Sequence, residues 1–271
     1  MRWQYQNIAI NSQKVILEKA RIVIEVNGLT KHYPEIKAVD GISFNVYQGE
    51  IFGLLGPNGA GKTTTLEIIE TLRKKTSGEV FVCGISVDEN PTLIKQKIGV
   101  QLQAANYYPN LTLNQLLELF GGLYNMAVDK NKMLSLVGLE DRGKSKYKEL
   151  SGGQKQRFSL ATTLINKPDI VFLDEPTTGL DPQARRNLWD LIRNIRDEGV
   201  TVVITTHYMD EAEILCDRVA IIEKGKIITL DTPGNLIDKL ISSGFKRNTE
   251  MKNANLEDVF LNLTGHELRD E

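Results

Sequence analysis

The sequence predicts an α/β fold in which buried strands alternate with helices and one all-helical segment interrupts the alternation. The continuously apolar runs EIFGLL, DIVFLD and TVVITT are typical of buried strands. Segments with helical spacing of apolar residues lie between strands, as expected for a parallel sheet covered by helices. Between about Leu111 and Lys167 the strand signal almost disappears, which predicts a helical insert of roughly fifty to sixty residues.

The first part of the chain is predicted to be rich in strands. IVIEVNGL, which begins at Ile22, and ISFNVY alternate apolar and polar residues, as half-buried strands do. EIFGLL and GEVFVCG are predicted as further strands, and PTLIKQKIGVQLQ as a helix followed by a strand. Residues 1–21 show no clean periodicity, and we interpret them as an N-terminal extension.

The second part is predicted to contain most of the helices. LTLNQLLELFGGLYNM and KNKMLSLVGL have helical spacing, and PQARRNLWDLIRNIRDEG predicts an amphipathic helix that ends at Gly199. RVAIIEKGKIITLD predicts a hairpin that turns near Lys224 and Gly225. The tail finishes in NLEDVFLNL, which predicts a short amphipathic helix.

Composition limits the classes of function. The 271 residues carry a formal net charge of −2, so no global basic field argues for a nucleic-acid partner. Two cysteines, Cys83 and Cys216, are too few for a disulfide framework and fit a reducing cytosol. No run approaches the eighteen or so consecutive apolar residues of a membrane-spanning helix, and the N-terminus lacks the features of a signal peptide. If the protein works at a membrane, a partner must supply the spans.

The segment GPNGAGKT fits the pattern G-x-x-x-x-G-K-[ST] of a phosphate-binding loop. Its glycines let backbone N–H groups curl around phosphate oxygens, and the following helix adds the positive end of its dipole. Lys62 can place its ammonium group on the β- and γ-phosphates, and Thr63 can present a hydroxyl group to Mg²⁺. A chance glycine turn is the alternative, but the buried strand before the motif and the helix after it favour a nucleoside triphosphate site. The candidate binding residues are Gly56, Pro57, Asn58, Gly59, Ala60, Gly61, Lys62, Thr63 and Thr64.

Two carboxylates, Asp174 and Glu175, end the strand DIVFLD. Ligands of open α/β sheets bind at this carboxyl edge of the strands. Asp174 is a candidate to hold the Mg²⁺ shell, through water, and Glu175 is a candidate general base that polarises the attacking water. An acidic strand end at a Glu-Pro turn is the alternative, and the phosphate loop favours the functional interpretation.

His207 follows the strand TVVITT of the same predicted sheet. A lone histidine at a strand end is usually structural. Here its imidazole is a candidate to hold the γ-phosphate and the Glu175–water pair in register, because a neutral imidazole can donate a hydrogen bond.

The octet LSGGQKQR predicts a second helix start suited to phosphate, on a helix that runs to about Lys167. Ser151 is a natural N-cap, and two glycines expose the backbone donors of the first turn. One chain therefore has two phosphate sites but one lysine-bearing loop, which predicts a two-fold dimer in which each copy completes the other's nucleotide site. An ordinary capped helix is the alternative. The candidate residues are Ser151, Gly152, Gly153 and Gln154.

Together, these motifs resemble the nucleotide-binding domain of the ABC transporter superfamily over about residues 22–233. The resemblance implies a RecA-like P-loop NTPase core with an antiparallel β subdomain and an α-helical subdomain inserted at about 104–165. It also implies a nucleotide-binding domain at 22–235, preceded by the extension at 1–21 and followed by a tail at 236–271.

The resemblance assigns roles to further positions. Tyr33 in LTKHYPEIKAV matches the aromatic residue that stacks on adenine. Gln103 in IGVQLQ matches the glutamine that links Mg²⁺ to the helical insert and takes part in catalysis, although the nearby Gln101 leaves open which of the two serves. Asp181 in TTGLDP matches the loop that crosses the dimer interface. Catalysis is thus expected from Glu175 and His207, with Lys62 and Gln103.

NLTLNQLLELFGGLYN, TTHYMDEAE and LEDVFLNLTGHEL are similar to the ATPase subunits of bacterial multidrug and antibiotic efflux transporters, whose permeases are separate multi-span chains. This similarity implies an ATPase that uses ATP and Mg²⁺ at the cytoplasmic face of the cell membrane and drives export of a drug-like, antibiotic or lipid substrate. The tail is too short for the regulatory domain of many sugar importers, which also favours export.

Two other classes of protein also carry a phosphate loop. A soluble ABC ATPase that acts on ribosomes or DNA usually carries two such domains or a long coiled-coil insertion, whereas this chain shows one domain and no basic stripe. A small-molecule kinase with a phosphate loop does not account for LSGGQKQR.

Overall fold

The structure is a computed structural model that describes residues 21–101, 107–245 and 256–264. Its strands are Ile22–His32 (β1), Lys37–Tyr47 (β2), Ile51–Leu55 (β3), Ser77–Val82 (β4), Ile85–Ser86 (β5), Ile98–Gln101 (β6), Ile170–Asp174 (β7), Thr201–Thr206 (β8), Arg218–Glu223 (β9) and Lys226–Asp231 (β10). Its α-helices are Lys62–Ile69 (α1), Pro91–Lys97 (α2), Leu113–Leu123 (α3), Lys130–Leu136 (α4), Gly152–Thr163 (α5), Pro182–Asp197 (α6), Met209–Leu215 (α7), Pro233–Ser242 (α8) and Leu256–Thr264 (α9).

The larger sheet has the strand order β10-β9-β3-β8-β7-β6. All of its strands run parallel except β10, which is antiparallel to β9. Leu55 of β3 lies beside Thr206 of β8, and Thr205 lies beside Asp174 of β7. The carboxyl ends of these three strands therefore meet at one edge, where open α/β sheets bind their ligands.

Both faces of this sheet are covered by apolar side chains. On β3, Phe52 and Leu54 belong to one core cluster, and Ile51 and Leu55 belong to the other. Successive side chains of a strand point to opposite faces, so a strand buried on both sides must be continuously apolar. The prediction of buried parallel strands is confirmed.

The smaller sheet is antiparallel, with the order β2-β1-β4-β5. It packs with α1 against one face of the larger sheet, where Phe44 stacks on Phe52 with ring centroids 5.3 Å apart. The hairpin of β1 and β2 carries Tyr33 in its tight turn, and the Tyr33 N–H donates to Ile36 O at 2.8 Å. This sheet is the antiparallel β subdomain that the sequence predicted.

Helices α3, α4 and α5 lie between β6 and β7. Thr112 caps α3, since its hydroxyl accepts from the Gln115 N–H and the Gln115 side chain accepts from the Thr112 N–H. Ser151 and Gln154 form the same capping box at the start of α5. Strand pairing in the described part of this segment is limited to a bridge between Thr112 and Lys146. The inserted helical subdomain is confirmed as part of the fold.

Helix α5 ends at Thr163, earlier than the predicted end near Lys167. Lys167 has a φ of 51°, which a right-handed helix does not allow. The Asn166 side chain instead donates to Ile98 O at 2.9 Å and links this turn to β6.

The predicted hairpin turn is confirmed, because Lys224 and Gly225 both have positive φ angles, 48° and 76°, between β9 and β10.

The tail helix α9 packs onto α7 and α8 through three buried residues, Leu256, Val259 and Phe260. The predicted extension lies almost wholly outside the described residues, and so does Gln103. Over the described ranges, every helix is too short or too polar to cross a bilayer.

Candidate functional site

The phosphate-binding motif forms the turn between β3 and α1. Gly61, the N-cap of α1, has a φ of 104°, and a Cβ there would overlap Ala38 O. A Cβ at Gly56 would overlap Ile222 O. Both positions therefore require glycine, which explains why the turn can pass so close to β2 and β9.

Lys62 folds back over this turn. Its Nζ donates to Gly56 O at 2.8 Å and to Pro57 O at 3.1 Å, and it lies 3.4 Å from Glu175 Oε1. Burial lowers the pKa of Lys62, and the negative charge of Glu175 opposes that shift. The ammonium group is thus held inside the turn, and a phosphate oxygen can replace its carbonyl and carboxylate partners.

Asp174 lies directly opposite Thr63, the first threonine of α1. The Thr63 hydroxyl is 3.1 Å from Asp174 Oδ2, and the Thr205 hydroxyl donates to Oδ1. Burial raises the pKa of Asp174, while the hydrogen bonds from Thr205 and Thr63 act in the opposite sense. A hydroxyl and a carboxylate that face each other at a phosphate site are hard oxygen donors of the kind that Mg²⁺ takes together with water and phosphate.

Glu175 has a strained backbone, with a φ of 49°. Its N–H donates to Thr205 O at 3.2 Å and to the Thr205 hydroxyl at 3.0 Å. Its carboxylate lies 3.3 Å from His207 Nδ1 through Oε2, and the Thr178 hydroxyl donates to the same oxygen at 3.4 Å. Glu175 therefore contacts both Lys62 and His207 at the carboxyl edge of the sheet.

A pocket of about 700 Å³ joins these groups to the smaller sheet. Tyr33, a residue that is 38% exposed, lies at its wall, and Arg73 donates to the Tyr33 hydroxyl at 2.5 Å. The wall also includes Asn58, Gly59, Gly61, Lys62, Thr63 and Thr64 of the phosphate loop, together with Glu175 and His207. Tyr33, most of the predicted phosphate loop, Glu175 and His207 thus line one cavity, whereas Gly56, Pro57 and Ala60 of the loop are not among its lining residues.

The LSGGQKQR segment lies elsewhere. Ser151, Gly152, Gly153 and Gln154 line a different cavity, of about 220 Å³, together with Asp181. Asp181 caps α6 by accepting from the N–H groups of Gln183 and Ala184 at 3.0 and 2.9 Å. Within one chain, the two predicted phosphate sites are therefore separate. The second site contains Asp181, which the resemblance assigns to a dimer interface.

Gln101 ends β6 and is buried, with its Nε2 donating to Gln156 Oε1 at 2.9 Å. Gln156 in turn donates to Pro176 O at 2.9 Å. The Gln101 amide is thus linked to α5 and, through Gln156, to the turn after Glu175, while its Oε1 meets no hydrogen-bond partner among the described residues. Gln101 does not line the nucleotide pocket. The assignment of the Mg²⁺-linking role to Gln103 remains a prediction.

Sequence reasoning missed Thr205. This buried residue holds both the Asp174 carboxylate and the Glu175 backbone. The available signal was a pair of threonines at the end of an otherwise apolar strand, since buried hydroxyl groups need hydrogen-bond partners.

Comparisons with known proteins agree with this geometry. A family model described as ABC transporter matches residues 39–178, more than half of the chain. The Nod factor export ATP-binding protein I of Burkholderia lata is 37% identical over 91% of this chain and 98% of its own length. This chain belongs to the ABC transporter family.

As a member of this family, the chain is an ATP-binding subunit whose ATP hydrolysis is coupled to transport. It is 39% identical to the linearmycin resistance ATP-binding protein LnrL of Bacillus subtilis, over 80% of this chain and 72% of that protein. A bacterial ABC transporter cassette solved as a dimer is 32% identical, with a TM-score of 0.69 over 77% of this chain and 98% of the cassette. The RecA-like α/β fold expected of an ABC cassette is confirmed.

Proposed function

We propose that this ABC subunit binds Mg²⁺-ATP between the phosphate loop of one copy and the Ser151 turn of a second copy. Glu175 acts as the general base, and the subunit drives a separate membrane permease. The observation that carries the proposal is the convergence of Tyr33, Lys62, Glu175 and His207 on one pocket of about 700 Å³.

The pocket has the chemistry that ATP needs. The exposed ring of Tyr33 offers a stacking face to adenine, and the turn from Gly56 to Thr64 offers backbone N–H groups and the Lys62 ammonium to the phosphates. Thr63 and Asp174 would hold Mg²⁺, with Asp174 acting through water, and Gln103 is assigned to the same shell by resemblance. When bound, Mg²⁺ neutralises charge on the β- and γ-phosphates.

Hydrolysis needs a base beside the γ-phosphate. Glu175 is positioned for this role by its backbone bonds to Thr205, and its Oε2 lies 3.3 Å from His207 Nδ1. In this role Glu175 accepts a proton from the attacking water. His207 holds the carboxylate and the γ-phosphate in register. Lys62 stabilises charge on the phosphate oxygens.

The second phosphate site supports a dimer. Ser151, Gly152, Gly153 and Gln154 lie at a helix start that does not line the chain's own nucleotide pocket, and Asp181 lies beside them. A head-to-tail pair of copies brings this helix start onto the partner's ATP and forms two equivalent sites. The similarity to a cassette solved as a dimer favours the same assembly.

The transport direction is proposed from the relatives. Two similar proteins are named for Nod factor export and for linearmycin resistance. We propose that this chain likewise drives export, of a drug-like, antibiotic or lipid substrate, from the cytoplasmic face of the cell membrane. Closure of the ATP dimer would act on the permease through the helices inserted between β6 and β7.

The experiment is to purify the full chain with its co-expressed permease and to measure ATP hydrolysis with and without candidate substrates. We expect saturable hydrolysis that stops when a chelator removes Mg²⁺ and that rises with a transported substrate. An Asp238→Ala variant, altered at an exposed residue of α8 outside the pocket, serves as the control. A folded complex that neither binds nor hydrolyses Mg²⁺-ATP would refute the proposal.

A further inference from the structure

Glu211 has a buried carboxyl group that none of the roles above uses. It lies on α7, is fully buried, and accepts two hydrogen bonds at Oε1, from Thr177 Oγ1 at 2.8 Å and from Trp189 Nε1 at 2.9 Å. Oε2 meets no hydrogen-bond partner among the described residues. Burial raises the pKa of Glu211, which favours the neutral carboxyl group in the folded protein.

The partners of this carboxyl group belong to segments that carry site residues. Thr177 follows Glu175 in the turn after β7, and it is itself fully buried. Trp189 lies on α6, the helix that Asp181 caps. The nearby Thr206 hydroxyl, which acts on the pKa of Glu211, belongs to the residue directly before His207. The turn that follows β7 and helix α6 therefore meet at one carboxyl group of α7, close to the end of β8.

A second contact joins the same helix to His207. The Arg185 guanidinium of α6 lies 4.3 Å from the Tyr208 ring centroid, and the Tyr208 and His207 rings are 4.1 Å apart. Arg185 Nη1 also lies 3.4 Å from Asp210 Oδ2. Helix α6 thus contacts the segment from His207 to Glu211 at two points. Arg185 packs on Tyr208, and Trp189 donates to the buried Glu211 carboxyl group.

The polar character of this contact is difficult to explain by stability alone. A buried carboxyl oxygen without a partner is unfavourable, and apolar side chains of similar volume can often replace buried polar groups at little cost. Directional bonds to a hydroxyl and an indole N–H, by contrast, fix the relative position of the segments that they join.

We propose that Glu211 is a positioning residue for ATP hydrolysis. Its Oε1 holds the Thr177 turn and helix α6 against α7, the helix that begins two residues after His207, so that Glu175 and His207 keep their 3.3 Å contact. This inference rests on the proposed roles of Glu175 and His207.

The test compares four variants of the full chain. Glu211→Gln keeps an acceptor oxygen for Thr177 and Trp189, whereas Glu211→Ala removes it. Thr177→Val removes one of the two donors with little change in shape. Asp238→Ala, at an exposed position of α8, is the control. For each variant, kcat, the Kd for ATP and the melting temperature are measured.

We expect Glu211→Ala to lower kcat by about tenfold or more while the Kd for ATP stays within about twofold. Glu211→Gln should restore most of kcat, and Thr177→Val should lower kcat in the same direction. A purely structural role would lower the melting temperature and leave the kcat of the folded protein unchanged.

The proposal is overturned if folded Glu211→Ala has the kcat of the original chain, or if Glu211→Gln is as impaired as Glu211→Ala. Should Glu211→Ala fail to fold, normal kcat in Thr177→Val overturns it. A Glu175→Gln variant distinguishes failure of the Glu211 positioning role from failure of the proposed base. Its loss of turnover alongside normal Glu211 variants rejects the positioning role alone, whereas its normal turnover rejects the proposed base.

Discussion

Lys62 and Glu175 form a buried ion pair, with Nζ 3.4 Å from Oε1. The ammonium that is predicted to bind the β- and γ-phosphates is therefore held in its turn by the carboxylate that is predicted to act as the base. Phosphate oxygens that enter the loop compete with Glu175 for Lys62. We expect ATP binding to release Glu175 Oε1 from Lys62 toward the attacking water, while Oε2 stays beside His207. Binding is thereby coupled to the assembly of the catalytic geometry.

Replacement of Lys62 by alanine should abolish nucleotide binding. The variant loses the ammonium group that reaches into the turn and lies 3.4 Å from Glu175 Oε1. We expect the Kd for ATP to rise by about a hundredfold or more, measured by equilibrium titration with a fluorescent ATP analogue. Lys130→Ala, on the surface of α4, is the control. Tight Mg²⁺-ATP binding by Lys62→Ala would contradict the assignment of the loop.

Thr205→Val should lower kcat strongly and the free energy of unfolding only modestly. It removes the hydroxyl that donates to Asp174 and accepts from the Glu175 N–H. We expect kcat to fall by about tenfold or more, with a loss of about 1–2 kcal/mol in the free energy of unfolding.

Thr201→Val supplies the matched control for this prediction. It changes the same residue type at the other end of β8, where the Thr201 hydroxyl accepts from the Gly49 N–H at 3.0 Å. The control should lose similar stability and keep its kcat. Equal kcat values for the two variants would remove Thr205 from the site.

Glu70 should make the stability of the chain depend on pH. Burial, together with the charges of Asp174 and Glu67, raises the pKa of Glu70 from 4.5 to about 8. The folded state therefore holds this proton more tightly than the unfolded state. The stabilisation is complete below pH 4.5 and is lost as the pH rises through about 8.

Glu70→Gln should remove this dependence. Its melting temperature should exceed that of the original chain by about 3 °C or more at pH 8, with a smaller difference at pH 5. Glu79→Gln, at an exposed residue of β4, should show no such trend. A melting-temperature difference that stays constant from pH 5 to pH 8 would show that Glu70 does not titrate in this window.

The strands and the phosphate loop were predictable because their signals are local. A buried strand such as β7 must be apolar at every position, and Gly61 is required by its φ and by the nearby Ala38 O. The position of His207 beside Glu175 was only partly predictable. Strand β8 lies between β3 and β7 although it follows both in the sequence, and this order depends on long-range pairing.

The hydrogen-bond network behind the site was not predictable from local patterns. TTHYMDEAE contains three acidic residues near one another, Asp210, Glu211 and Glu213. Only Glu211 is fully buried, because α6 supplies Trp189 and the turn after β7 supplies Thr177 at that point of the helix. The end of α5 at Thr163 was likewise missed, since it depends on the Asn166 contact with β6.

The sedimentation of the Glu175→Gln variant with Mg²⁺-ATP tests the central claim most directly. Glutamine keeps the shape of the pocket but cannot take a proton from water, so the variant should bind ATP, lose turnover and accumulate as a closed dimer. We expect a species of about twice the 30.4 kDa chain mass, with two ATP molecules, that disappears when Mg²⁺ is removed. A monomer that persists at saturating ATP, or a variant that hydrolyses ATP at the original rate, would contradict the account.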